Sequence, residues 1–358
     1  MSRRRKTWSR EVRIMSPQAN EDSEAPHPRT TAVLFGHGHA EAALLAAYRS
    51  GRIPHAFLIA GPKGIGKATL AYRLARFVLA HPDPAAPEIA QATSLAVDPE
   101  HPVARRIAAQ AQGDLLILER TPNEKGVLRQ HIAVDDVRRS VAFFGSTAGE
   151  GGWRVAIVDA VDELNRFGAN ALLKILEEPP QRALLLLVSH SAARVLATLR
   201  SRCRIVTLRP LIETDVAAAV AAATGSLATD PEVVAAASAA DGSVARALAF
   251  LDGDALELRQ RALDLLDKLP TLDTGALHAL GEAIAGTDPQ PLAAFLDTIN
   301  AWLSLRLDRD RGETGRLARL ADASERINAA ARDVETYNLE RKPLVFGVFG
   351  LLAEATRG

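Results

Sequence analysis

The 358 residues include a single cysteine, Cys203, which excludes an internal disulfide framework and any cysteine-rich zinc site and fits a reducing cytoplasm. Aromatic residues make up only 4% of the chain, so Leu, Ala and Val must fill its cores. No apolar run approaches the ~20 residues needed to cross a bilayer, so no membrane partner is expected. Net charge is missing too, with 43 Lys and Arg against 43 Asp and Glu. Tight, autonomous binding to nucleic acid relies on clustered cations that release counterions from phosphates, so any DNA contact is expected to be shared with partners. What is present is 47% hydrophobic residues over a length that supports more than one core, and hence two or three domains.

Residues 1–30 carry Arg and Lys, then Ser, Pro, Glu and Asp, with too few apolar residues to offset the entropy of ordering, and read as a disordered tail. The basic residues Arg3 to Lys6 lack a following apolar stretch, so they are not a secretory signal. Translation starting at Met15 is a further expectation, because residues 1–14 show no pattern of a folded element. From 31 to 208, short β-like runs alternate with longer amphipathic stretches, the pattern of a parallel sheet covered by helices. Strands are predicted at 57–60, 115–118, 154–159, 184–188 and 205–208, and helices at 67–79, 134–143, 168–177 and 193–199. Pro179-Pro180 stops the third of these helices. Five prolines in 81–113 suggest an inserted loop or small excursion. After Pro210 the β-like runs vanish: 209–252 reads as three short helices, and 253–358 as a second all-helical group.

Three stretches carry chemistry. The first strand runs into Gly61-Pro62-Lys63-Gly64-Ile65-Gly66-Lys67-Ala68-Thr69, the glycine and lysine spacing of a phosphate-binding loop that opens a helix. Glycines let backbone N–H groups converge on phosphate oxygens, and Lys67 would reach the terminal phosphates. The hydroxyl residue expected after the lysine is Ala68, which cannot ligate Mg²⁺, and Thr69 lies one position late. Three readings stand: retained nucleotide-loop geometry with weak or absent catalysis, a structural turn, or an active site. The second stretch is an apolar strand ending in Asp159, a carboxylate able to hold a Mg²⁺-bound water. Ala160 stands where a water-orienting glutamate would follow, with Asp162 and Glu163 as substitutes or as part of a solvated helix start. The third stretch places Arg200, Arg202 and Arg204 at alternate positions before the last strand, which taken alone is a solvated basic edge.

Gly61 to Lys67, then Asn170-Ala171-Leu172-Leu173-Lys174-Ile175-Leu176-Glu177-Glu178-Pro179-Pro180, then Ser201-Arg202-Cys203, in this order, closely resemble the bacterial clamp-loader AAA+ subunits of DNA polymerase III. Asp159-Ala160 and the stretch from Leu196 to Arg200 look most like the delta-prime members of that family. The resemblance implies an α/β P-loop AAA+ module with a RecA-like parallel sheet at 31–208, a small helical lid, and an all-α C-terminal collar for oligomerisation. The resemblance also implies a hetero-oligomeric ring with gamma/tau and delta subunits that uses ATP to place a sliding clamp on primer-template DNA. Residue by residue, Gly61, Gly64, Gly66 and Lys67 match the phosphate loop, Asp159 the metal-site carboxylate, Ser189 the sensor on the fourth strand, and Arg202 a finger that acts on a neighbour's ATP. The family often has a four-cysteine zinc module at 81–113, for which this chain lacks ligands. Active members carry a lid arginine where this chain has Ala245, with Arg246 one position later.

These residues lead to a stator with weak or absent ATPase of its own that completes a neighbour's site. An ATP-hydrolysing gamma/tau-type subunit is the alternative. A stand-alone P-loop transferase fits Ser201-Arg202-Cys203 and the helical C-terminal third poorly.

Overall fold

The computed structural model describes residues 26–122, 129, 131–145, 152–251, 254–309, 314–337 and 339–357. Most of the expected tail, and with it the reading of Met15 as a start, lies outside the described residues.

The α/β part runs α1 (Gly38–Arg49), β1 (Ala56–Ala60), α2 (Lys67–Ala80), α3 (Pro87–Gln91), α4 (Pro102–Ala108), β2 (Leu115–Glu119), α5 (Val134–Gly145), β3 (Arg154–Asp159), α6 (Arg166–Glu177), β4 (Ala183–Ser189), α7 (Ala197–Arg200) and β5 (Arg204–Thr207). All strand pairs are parallel, in the order β2-β3-β4-β1-β5. This is the P-loop AAA+ sheet expected from the sequence. β1 and β4 are buried along their whole length, which is why they read as unbroken apolar runs. Alternate residues serve opposite layers. Phe57, Ile59, Val155, Ile157, Leu184 and Leu186 pack with α1 to α4, while Ala56, Leu58, Ala156, Val158, Leu185 and Leu187 pack with α5 to α7. β5 is the edge strand, and its Ile205 is 46% exposed.

Two expectations need correction and one is refined. Residues 81–113 form a small excursion that carries two short helices, α3 and α4, because Pro87 and Pro102 occupy first-turn positions where a missing N–H costs nothing, and Ile89, Leu95, Val103 and Ile107 anchor the segment in the core. The helix predicted at 193–199 is only α7, since Leu196 is extended (ψ 132°) and residues 192–194 form a turn closed by Arg194 N–H donating to Ser191 O at 3.0 Å. Residues 26–30, assigned to the tail, form a turn against α2. Arg76 donates to the carbonyls of Arg29 (3.1 Å) and Thr31 (3.4 Å), and Arg73 to that of Ala32, while His27 meets Tyr72 edge to face.

A three-helix group follows, α8 (Glu213–Thr224), α9 (Pro231–Ala239) and α10 (Val244–Leu251), around Val216, Val220, Val233, Ala236 and Phe250. The C-terminal group comprises α11 (Ala255–Leu266), α12 (Thr274–Ile284), α13 (Pro289–Arg309), α14 (Thr314–Tyr337) and α15 (Arg341–Thr356). It packs mainly through Leu, Ile, Ala and Val, with Phe295 and Phe349 meeting at a centroid distance of 6.2 Å. Among the described residues no helix is long and apolar enough to cross a membrane.

Candidate nucleotide site

β1 delivers the chain to Gly61, whose N–H donates to Ser189 O at 3.3 Å. Gly61, Gly64 and Gly66 take φ of 153°, 78° and 97°, conformations that L side chains rarely adopt. A Cβ at Gly61 would lie 2.5 Å from Leu208 O, and one at Gly64 2.3 Å from Ser243 Oγ. His37, buried beneath the loop, fixes it from below through Nε2 and Ile65 O at 2.6 Å. The backbone N–H groups from Lys63 to Thr69 have no hydrogen-bond acceptor among the described residues, and the last three open the first turn of α2. A run of free donors at a helix N-terminus suits an anion, so the loop fits the phosphates of a nucleotide. Lys67 is only 4% exposed, and its Nζ donates to Pro62 O within the loop. Burial pulls its pKa down to about 8, against the opposing pull of Asp159 and Asp162.

Asp159 ends β3 beside this lysine, and burial raises its pKa while Lys67 draws it back. The loop opens into a cleft of about 750 Å³, lined by Gly64, Gly66, Lys67, Ala68, Thr69 and Asp159. That volume is in the range of small-molecule sites. Residues 30–35 and the helices α8 and α10 also line it, with mostly apolar groups.

Not every candidate reaches the cleft. Ser189 is fully buried and is absent from the lining; its hydroxyl donates to Asp162 Oδ1 at 3.0 Å. The next residue, His190, lines the cleft instead, and burial pushes its pKa down to about 4. Neither proposed replacement for the carboxylate missing at Ala160 is free. Asp162 also accepts from His190 N–H at 2.5 Å, and Glu163 is paired with Arg120 at 2.8 Å.

The three-helix group touches the loop directly. Ser243 Oγ donates to Lys63 O at 3.1 Å, and Ala245 N–H to Gly64 O at 3.2 Å. Ala245 lines the cleft, whereas Arg246 is held by Asp241 at 2.7 Å and does not line it. Arg259 reaches the same Asp241 at 3.0 Å.

Arg202 lies at the other end of the sheet. The register pairs Phe57 with Arg204 and Ala60 with Thr207, so the phosphate loop leaves the C-terminal end of β1 while Arg202 precedes the N-terminal end of β5. Four residues of strand put ~13 Å between those ends. Arg202, 37% exposed, donates to Thr198 O and Glu177 Oε1, each at 3.0 Å. Arg200 and Arg204 do not share a strand face with it. Arg200 ends α7 and donates to Ala192 O at 3.1 Å, Arg202 sits in the intervening turn, and only Arg204 belongs to β5. Cys203 between them is largely withdrawn from water, which raises its thiol pKa to about 11.

Sequence patterns did not reveal His37, His190, or the cleft wall at 30–35. His37 lies on no motif, and the wall is an irregular segment whose place is set by Arg73 and Arg76 on a helix about 40 residues later.

A family model described as DNA polymerase III, delta subunit, matches residues 36–212. The delta-prime subunit of DNA polymerase III from Pseudomonas aeruginosa is 38% identical over 149 residues, covering 42% of this chain and 41% of that protein. The gamma/tau subunit from Mycobacterium bovis is 28% identical over 340 residues, covering 88% of this chain and 56% of that protein. The chain thus spans about half the length of the curated relatives it matches. A solved DNA polymerase III gamma subunit-related protein from Thermotoga maritima aligns over 88% of this chain and 100% of its own, at 17% identity and a TM-score of 0.40. Through the module at 36–212, the chain is similar to the clamp-loader subunits of DNA polymerase III.

Proposed function

We propose that this chain is the delta-prime-type stator of a clamp loader: a subunit that completes the ATPase site of a neighbour with Arg202 and turns over nucleotide slowly, if at all, in its own cleft. The observation that carries the proposal is the placement of Arg202, solvent-accessible and at the opposite end of the sheet from the chain's own phosphate loop. A guanidinium there has no route to its own cleft, and once released from Glu177 its planar fork suits two phosphate oxygens of a second subunit's nucleotide. Direct bonding of Ser243 and Ala245 to the loop supports the same reading. The lid is tied to the loop backbone, and no lid arginine enters the cleft to report on a bound phosphate. The Mg²⁺ hydroxyl missing at Ala68 and the water-orienting carboxylate missing at Ala160 favour slow chemistry.

The partners are gamma/tau and delta subunits in a hetero-oligomeric ring, with the sliding clamp and primer-template DNA met through the complex in the cytoplasm. In the assembled ring, Arg202→Ala is expected to leave assembly intact and to lower the partner's ATPase roughly 10³-fold or more at the affected site. Unchanged partner ATPase in the complete assembly would remove the stator reading.

A second reading, an ATP-hydrolysing gamma/tau-type subunit, draws on the open cleft with Lys67 and Asp159 in place and on the match to a gamma/tau protein across 88% of the chain. ATP turnover by the isolated chain that is fast and lost in Lys67→Ala would decide for it.

A further inference from the structure

The parallel register of β2 and β3 sets Glu119 directly opposite Asp159, at the C-terminal ends of both strands. Neighbouring strands lie ~4.8 Å apart, so the two carboxylates leave the sheet side by side. Both line the cleft that contains Lys67. Glu119 is the only one of the cleft carboxylates Glu119, Asp159 and Glu163 that comes from β2, and it makes no hydrogen bond or ion pair among the described residues. Asp162 and Glu163, by contrast, are engaged by Ser189, His190 and Arg120. Glu119 is exposed at the end of β2, where its carboxylate is open to the cleft. A carboxylate that is open to the cleft and uncommitted is placed to take a proton from water.

We propose that Glu119 holds the attacking water in this chain's own cleft, doing from β2 what Ala160 cannot do from the end of β3. The proposal rests on the reading that the cleft takes Mg²⁺·ATP as substrate. The water oxygen bonds to the γ-phosphorus, and its proton passes to Glu119. The bond from that phosphorus to the bridging oxygen breaks, its electron pair stays on ADP, and inorganic phosphate is released. Glu119 then returns the proton to solvent. Ala68 leaves the Mg²⁺ without a hydroxyl ligand, so turnover on Glu119 is slow rather than absent.

The test uses the full chain in excess over Mg²⁺·ATP, with affinity from calorimetry and single-turnover phosphate release measured on the same samples. Glu119→Gln should bind ATP at least as tightly as the parent, because one negative charge leaves the phosphate end, and should release phosphate roughly 10²-fold more slowly. Parental phosphate release from Glu119→Gln overturns the proposal, as does a loss confined to Glu163→Gln or a parent that binds ATP with no turnover at all. A flat calorimetric titration of the parent removes the nucleotide reading itself and Glu119 with it, so the two failures are told apart by binding.

Discussion

Replacing Lys67 by Met tests the electrostatics of the phosphate loop. In the unfolded chain a lysine titrates near 10.5, whereas burial at the head of α2 brings Lys67 to about 8. Holding its charge below pH 8 therefore costs the folded state about 3 kcal/mol, at about 1.4 kcal/mol for each tenfold change in acidity. Between pH 8 and 10.5 the unfolded chain carries this proton and the folded chain does not, so the cost is relieved and stability rises with pH. Methionine has similar length and no charge, and Lys67→Met removes both the cost and its pH dependence. It also leaves Pro62 O without its donor and Asp159 without its nearest cation, penalties of about 1–3 kcal/mol that offset part of the gain at neutral pH. The robust quantity is the difference between parent and variant, which should shift by about 2 kcal/mol in the parent's favour from pH 7 to 9.5. For a unit of this size that is about 4–8 °C in the relative unfolding midpoint, readable by differential scanning fluorimetry in matched buffers. Saturating ATP should stabilise the parent and not the variant. Parallel midpoint curves for the two proteins between pH 7 and 9.5 would refute a desolvated ammonium at this position.

Ala68→Ser should supply the missing Mg²⁺ ligand and raise the isolated chain's ATP turnover at least roughly tenfold, seen as a Mg²⁺-dependent rate in single-turnover assays. Gly64→Ala combines a φ of 78° with a Cβ that would sit 2.3 Å from Ser243 Oγ, so it should cost about 1–2 kcal/mol and separate lid from loop, measured as faster amide exchange at Ala245. Arg73→Met should destabilise the α/β module by about 3–5 kcal/mol in urea unfolding, because Glu41 at 2.6 Å would remain as a nearly buried, unpaired carboxylate. The double replacement with Glu41→Met should recover most of that loss.

Strands β1, β3 and β4 were legible because buried parallel strands have no polar face to disguise them, and the end of α6 because Pro179-Pro180 permits little else. The prolines of 81–113 concealed two short helices for the same local reason. Proline reads as a breaker, yet at the first turn of α3 and α4 it starts a helix, and only the buried Ile89 and Ile107 distinguish the two uses. At 193–199, Val195 and Leu199 have helical spacing, but each is drawn inward from a separate piece of chain. The loop residues Gly61 to Lys67 and Asp159 could be placed by motif, whereas Ser189 fell one residue short of the cleft because β4 runs on, buried, to its end. Glu119 was beyond any reading of the linear chain. Its position beside Asp159 is a fact of register across 40 residues, and register is set by packing.

Helix α2 carries Lys67 at its head and, nine positions on, Arg76, which grips the carbonyls of Arg29 and Thr31 while Arg73 grips that of Ala32. One rigid rod therefore bears both the phosphate end of the cleft and the anchor of the segment at 30–35 that lines it, about 13 Å apart by helical rise. The rod makes the length of the cleft a ruler rather than a hinge. A ligand too short or too long cannot be met by sliding one end towards the other without breaking helical hydrogen bonds or pulling carbonyls off two buried guanidinium groups. Compliance in this module is left to the side that closes over the ruler, where Ser243 and Ala245 touch Lys63 and Gly64 through two single hydrogen bonds.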